Sequence, residues 1–498
     1  MTATGSAPKS IGRRLLSWTS WLAAAAVLIL ATVVVGAAVD ARHRLPDLQP
    51  WHRNAPASEI RAADIDERFT LADYLERERR TFDEVRTGVE DVLPAAGQYV
   101  ANRYVSTSRS SPSRLERDYN RTFEVEPETL RGGALLIHGL TDSPYSMKTI
   151  AEHLKGLGYY SLALRMPGHG TVPAGLVTSR AQDWHAAVRL GVRHVRTRIG
   201  AGLPLVLVGY SNGGALVTRY TLDALEDPSL AKPSRLVLVS PMIGVTPMAR
   251  LASVISALGF IPYFEKARWL DVVPEYNPFK YNSFPANAGR QTYDITRDLQ
   301  QRIVRAGTDG RLAQFPPVLT FQSLVDATVS TPAIIGHLHD RLPKNGSALV
   351  LFDFNRHARL DAFIRPEDHT LIARLFERRP RDYRITLVTN ARADTLEVAA
   401  RDVAPGSTTP VDSPLGLEWS RDLFSLSHVA LPFSTSDPVY GSLAAEGTTG
   451  PVALGLLSPR GERSVLTVPV DVLMRVSSNP FFPYLAERLS AWVNDAAQ

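Results

Sequence analysis

Gly209-Tyr210-Ser211-Asn212-Gly213 sets a serine between two glycines, directly after the apolar run LPLVLVGY (203–210) and directly before GALVTRYTLDAL. G-x-S-x-G at a strand-to-helix turn is the setting of an activated serine nucleophile. The turn is tight enough to strain the serine backbone, and the flanking glycines remove side chains that would clash. The hydroxyl then projects from the sheet edge above a helix N-terminus, where negative charge is favoured. A second stretch, Ile137-His138-Gly139-Leu140-Thr141-Asp142-Ser143-Pro144, follows another apolar run. The backbone N–H of Leu140 is expected to join that of Asn212 in holding an oxyanion. His138 and His169, the latter in Arg165-Met166-Pro167-Gly168-His169-Gly170, read as structural histidines satisfied by local hydrogen bonds. His337, His339 and Asp340 do not read as a metal site, because positions two apart on a helix point to different faces.

These residues need a scaffold, and the hydropathy pattern supplies one. Apolar runs at 134–139, 159–166, 203–210, 235–241, 317–323 and 348–354 lack the alternation of half-exposed strands, as strands buried on both faces do. Helical patterns fall between several of them, near 146–157, 181–199, 213–226 and 330–342. Alternating strand and helix predicts an α/β fold whose mostly parallel sheet has helices on both faces. Chemistry in such a sheet collects at the carboxyl ends of the strands, where Ser211 and Leu140 fall.

HGLTDSP, PGHG, Asp183-Trp184 within a helix and GYSNGG, in this order and spacing, resemble the α/β-hydrolase superfamily. The similarity is to its monoacylglycerol lipase, bacterial carboxylesterase and serine-aminopeptidase-like branch. It covers about 130–245 and 317–330, is loose after 355 and does not reach 1–120. It implies a triad in the order serine, acid, histidine, and a cap between the strands at 235–241 and 317–323. Asp326 fits the acid position, at the end of PVLTFQS, although an Asp there also suits a helix cap. Two histidines compete as the base. His357 directly follows a strand, 31 residues after Asp326, but Arg356 and Arg359 flank it and disfavour an imidazolium. His428 lies in the neutral loop Ser425-Leu426-Ser427-His428-Val429, and the choice falls on it.

Composition narrows the function classes. Hydrophobic residues at 44% and charged residues at 21% describe an ordinary globular chain. The net charge of +5 falls to +2 without Lys9, Arg13 and Arg14, too little to argue for nucleic-acid binding. The absence of cysteine excludes disulfide scaffolds, thiol catalysis and cysteine-held metals. Residues 15–39 form a charge-free apolar run of 25 residues with Trp18 and Trp21 near its start. That is long enough to span a bilayer, and the preceding cations orient the N-terminus to the cytoplasm; a cleaved signal peptide is the rival reading. The chain thus divides into a cytoplasmic 1–14, an anchor 15–39, a linker and helical region 40–120, and a hydrolase domain 121–498. Within the first of these regions beyond the anchor, 44–56 reads as a Pro-rich spacer and 69–93 as an amphipathic helix. The hydrolase domain carries an aromatic-rich cap insertion at about 242–316 and a second insertion at about 356–425, with an extra strand expected at 382–390. The expectation is a single-pass membrane serine hydrolase with its domain outside the cytoplasm, cleaving small-molecule or lipid esters through an acyl-enzyme. It requires no metal or organic cofactor and leaves oligomeric state open. A peptidase or amidase of the same fold, or a non-catalytic binding protein at the envelope, are the alternatives.

Overall fold

The computed structural model describes residues 10–93, 101–244, 261–358, 363, 380–444, 450–460 and 465–495. Residues 1–9 of the expected cytoplasmic segment, 245–260 of the cap insertion, and 359–362 and 364–379 of the second insertion lie outside the described residues.

The apolar runs become strands. In chain order these are β1 (Phe123–Val125), β2 (Gly132–Ile137), β3 (Tyr159–Leu164), β4 (Leu205–Tyr210), β5 (Arg235–Val239), β6 (Trp269–Asp271), β7 (Phe284–Pro285), β8 (Val318–Ser323), β9 (Ala348–Phe352), β10 (Arg384–Asn390), β11 (Glu397–Val403) and β12 (Val411–Glu418). β6 and β7 pair with each other, and the rest form one ten-stranded sheet in the order β1-β3-β2-β4-β5-β8-β9-β10-β11-β12. Every neighbour from β3 across to β10 is parallel. β1 runs antiparallel at one edge, and β11 and β12 fold back antiparallel at the other. β2, β3, β4, β8 and β9 are buried at every residue, which is why they read as continuous apolar runs. The helices Ala181–Ile199, Asn212–Glu226 and Ala286–Thr308 cover one face, and Lys148–Gly156 and Phe482–Asn494 the other.

The N-terminal region is built into this body. Its helix Leu71–Val85, with Thr70 as N-cap, runs on into a π turn at Arg86–Glu90. Ile60, Leu71 and Tyr74 share the core of the sheet's helix-rich face. Arg165, just past β3, is fully buried between Glu59 at 2.9 Å and Glu78 at 3.0 Å. Paired on both sides, it escapes the several kcal/mol that an isolated buried charge costs. The stretch 44–56 is not the free spacer its prolines suggest. Leu45, Leu48, Trp51 and His52 are buried. The His52 ring meets Trp269 edge-on at 4.8 Å, and Arg53 forms a two-pronged bond with Glu265. Polar composition concealed this docking because few of its residues carry the contact. The expected helix at 330–342 is a succession of short turns, Thr331–Ala333, Ile334–Leu338 and His339–Arg341, and His339 is bonded to Thr320 Oγ1 at 2.9 Å.

Candidate active site

β4 ends at Tyr210 and the next helix begins at Asn212, so Ser211 must reverse the chain in a single step. It does so at φ 54° and ψ −116°, a strained conformation for a residue with a side chain. A Cβ on Gly209 would stand 2.5 Å from the Gly213 carbonyl oxygen, and one on Gly213 only 2.1 Å from that of Ile137. Gly209 is therefore demanded by the tightness of the turn itself, and Gly213 by its close packing against the end of β2. Gly139 brings the His-Gly-Leu loop onto the same turn, since a Cβ there would lie 3.1 Å from Ser211 Cβ.

His138 holds that loop in shape. Its Nε2 accepts the Met166 N–H at 3.0 Å, which leaves the proton on Nδ1, 2.8 Å from the Gly139 carbonyl oxygen that accepts it. The bond fixes the peptide plane whose N–H belongs to Leu140. Burial drives the His138 imidazolium well below its ordinary range, so the ring stays neutral and structural, as its sequence context suggested. Among the described residues no backbone carbonyl accepts from the Leu140 or Asn212 N–H.

Asp326, after β8, and His428 lie 102 residues apart in sequence, and the structure brings them together. His428 Nδ1 is 2.8 Å from Asp326 Oδ2, with the ring 6% exposed and the carboxylate fully enclosed. The other carboxylate oxygen accepts the Thr328 and Val329 N–H groups at 2.7 and 3.0 Å. Burial opposes the charged form, but the His428 contact and these amides outweigh it and hold the Asp326 carboxyl below its usual value. Gln322 Nε2 adds a longer bond to Oδ2 at 3.2 Å. Tyr210, next to Ser211, packs its ring 5.4 Å from that of His428 and donates its hydroxyl proton to the His428 carbonyl at 3.3 Å. Through Tyr210 the serine turn and the histidine loop share a contact. His357 stands elsewhere: its N–H is bonded to Asn355 Oδ1, and its neighbour Arg356 pairs with Asp353 at 2.9 Å. The chain leaves β9 outward to β10–β12 and returns only afterwards, delivering His428.

Residues of the aromatic-rich cap stretch that the sequence marked, Phe279 and Tyr281 among them, reach the loop after β2 and a C-terminal segment that the sequence did not single out. Tyr281 N–H donates to the Thr141 carbonyl at 2.7 Å, and Lys280 Nζ lies 3.4 Å from the Leu140 carbonyl oxygen. Tyr145 stacks on Phe279 at 4.0 Å and donates to Asp437, while Tyr440 stacks on Phe433 at 4.0 Å and donates to Asn277 at 2.8 Å. Rings of the expected cap thus pack with a C-terminal segment that carries no regular pattern to announce it. A groove of about 970 Å³ reaches Asp326 and His428 from outside, lined among others by Leu423, Phe424, Leu457, Met474 and Arg475.

The sheet order, the serine turn after a central parallel strand and the loops at the strand ends define the class of fold, a mostly parallel α/β sheet similar to that of the α/β-hydrolases. Residues 129–360 match the family described as serine aminopeptidase, S33. A stretch of 84 residues is 34% identical to a thermostable monoacylglycerol lipase of Bacillus sp. (strain H-257). That stretch is 17% of this chain and 32% of the lipase, so the chain spans about a third of the length of this relative. Among solved structures, a soluble variant of a monoglyceride lipase from Saccharomyces cerevisiae is similar at 17% identity and a TM-score of 0.36, over 47% of this chain and 82% of that one. A monoacylglycerol lipase from Paleococcus ferrophilus is similar at 19% identity and a TM-score of 0.34, over 47% and 88%.

Proposed function

We infer that this hydrolase cleaves carboxylic esters of acylglycerol type through an acyl-enzyme. Ser211 attacks the ester carbonyl, and His428 takes its proton and returns it to the leaving alcohol. Asp326 holds the imidazole in the productive tautomer and balances its charge when protonated. The Leu140 and Asn212 amides receive the tetrahedral oxyanion. The observation that carries this reading is the enclosed 2.8 Å contact between Asp326 and His428 beside a strained serine turn. The helix holding Trp18–Arg44 has the length and composition to cross a membrane, and we read it as an anchor with the hydrolase outside the cytoplasm.

A fluorophosphonate probe tests the chemistry: an adduct on Ser211 that vanishes in Ser211→Ala is expected. Folded protein that forms no adduct would sink the enzyme reading in favour of an envelope binding protein. The description of the matching family favours a peptidase as the second reading. A rate series over p-nitrophenyl esters of rising chain length, with an aminoacyl anilide beside them, separates the two. Esters with medium or long chains are expected to win, and a preference for the anilide would overturn that. Alkaline washing and a reporter fused after Gln498 test the anchor and its direction, and a mature N-terminus near Asp40 would establish cleavage instead.

A further inference from the structure

The apolar helix does not leave the fold as a loose tether. Val34, Ala38 and Ala41 fall on one helix face and are buried, as is Leu45 just past the helix end. The helix packs on Pro262–Arg268 of the cap insertion, and Ala41 and Leu45 continue into a cluster with Leu48, Trp269 and Val272. Polar bonds lock the joint. Lys266 Nζ donates to the Leu45 carbonyl at 2.8 Å and to the Asp47 carboxylate at 3.0 Å. Arg42 donates to the Tyr263 carbonyl at 3.1 Å and lays its guanidinium 4.1 Å over the Tyr263 ring.

Helix arithmetic sets the depth of this joint. The charge-free run 15–39 extends about 37 Å at ~1.5 Å per residue, against ~30 Å of hydrocarbon. With Trp18 and Trp21 at one interface, the opposite one falls roughly 20 residues further on, near 38–41. Ala41 and Arg42, against which the cap segment packs, therefore lie at that interface, and so does the segment. The surface found there has the matching chemistry. Tyr263 is 52% and Leu270 39% exposed, and Arg42, Lys266 and Arg268 stand in the same joint or segment. Amphipathic rings and long cationic side chains are what the headgroup layer accommodates. The same insertion carries Lys280 and Tyr281 to the loop of Leu140 and Thr141.

We propose that the cap segment 262–271 is a second membrane contact, seated in the lipid interface by the helix it packs on, so that the candidate active site draws its ester substrates from the bilayer surface. The inference rests on reading the N-terminal helix as an anchor and adds a fixed orientation to it. The chain has no cysteine, so a single introduced thiol is uniquely labelled. Tyr263→Cys and Leu270→Cys, with Val411→Cys on β12 as the distant control, would carry a bimane fluorophore in full-length protein. The protein is reconstituted in phosphatidylcholine and phosphatidylglycerol vesicles containing a nitroxide lipid labelled near the headgroup. Quenching at 263 and at 270 is expected to exceed that at 411 by about twofold or more, as for a segment lying ~5–10 Å into the headgroup region. Equal quenching at all three sites, in protein that stays with the vesicles through an alkaline wash, would overturn the cap contact and leave the anchor standing. Protein that washes off would overturn the anchor and the inference together. Agreement between two sites guards against one substitution disturbing the joint.

Discussion

Exchanging the fates of the two histidines tests the triad assignment most sharply. His428 is 6% exposed and its Nδ1 sits 2.8 Å from a fully enclosed carboxylate oxygen. His428→Ala removes the base and leaves Asp326 with Gln322 and the Thr328 and Val329 amides. The expected loss in acyl transfer is at least about a thousandfold, or ~4 kcal/mol in the barrier. The cost in stability is smaller, on the order of 1–3 kcal/mol for one charge-assisted bond, because the remaining donors still hold the carboxylate. Asp326→Asn works more subtly. Oδ1 accepts two backbone N–H groups, so the oxygen of the introduced amide must stay there and its NH2 must face His428. The ring must then offer Nδ1 as acceptor and carry its proton on Nε2, where it cannot take one from Ser211. A similar tautomer trap in a serine protease costs about 10⁴-fold. The measurements are kcat/KM on p-nitrophenyl butyrate, the rate of fluorophosphonate labelling, and circular dichroism to confirm folding. His357→Ala should stay within a few fold of the parent. If His357→Ala lost activity a thousandfold while His428→Ala kept it, the assignment would be refuted.

Other perturbations test the scaffold. Gly213→Ala pushes a Cβ to 2.1 Å from the Ile137 carbonyl oxygen and 2.7 Å from that of His138, both backbone. The resulting shift should lower the labelling rate about a hundredfold and stability by ~1–3 kcal/mol, and parent-like kinetics would refute the tight-turn argument. Arg165→Met strands Glu59 and Glu78 in the interior, so urea unfolding should show a loss of about 3–5 kcal/mol, largely recovered when both glutamates are also made apolar. No loss in the single variant would mean the clamp is not closed in solution. Burial holds His52, His169 and His339 down to about 3 and His185 to about 4. Their folded values lie below the unfolded value of 6.5, so the stability they contribute is complete above it and drains away as pH falls toward about 3. Tm by scanning fluorimetry should decline across that window, and a flat profile would contradict their buried, neutral state.

What the sequence made legible follows from which forces are local. A strand covered on both faces is largely apolar, so β2, β3, β4, β5, β8 and β9 were readable as runs, while β10 was readable only as an extra strand within an insertion. The serine turn was readable because its sterics admit little but glycine at 209 and 213. β1, β11 and β12 escaped, since β1 is three residues long and β12 is largely exposed, with Pro414 and Gly416 inside it. Arg165 escaped for another reason. Its partners lie 87 and 106 residues away, and nothing near position 165 announces that its charge is met. The same holds for Tyr145, whose neighbours Phe279 and Phe433 come from distant segments. The candidate acid and base rest on the order that a family resemblance implies and on the neutral loop around His428, because 102 intervening residues erase any local signal that the two meet.

The detour through β10, β11 and β12 also sets the order in which the protein becomes itself. Ser211 and Asp326 follow strands whose neighbours have all been synthesised by Phe352, so that half of the candidate centre needs no later sequence to take its place at the sheet's end. His428 arrives only after three more strands have been added, and its loop is closed by Arg475, whose carbonyl accepts the Ser427 hydroxyl at 2.6 Å. Closing a contact across so many residues costs chain entropy and comes late in folding. With the first helix read as an anchor, a nascent chain would meet the membrane long before it holds the proposed base. On the roles proposed here, hydrolysis switches on only after the segment around Arg475 has left the ribosome, and a shorter copy is chemically silent.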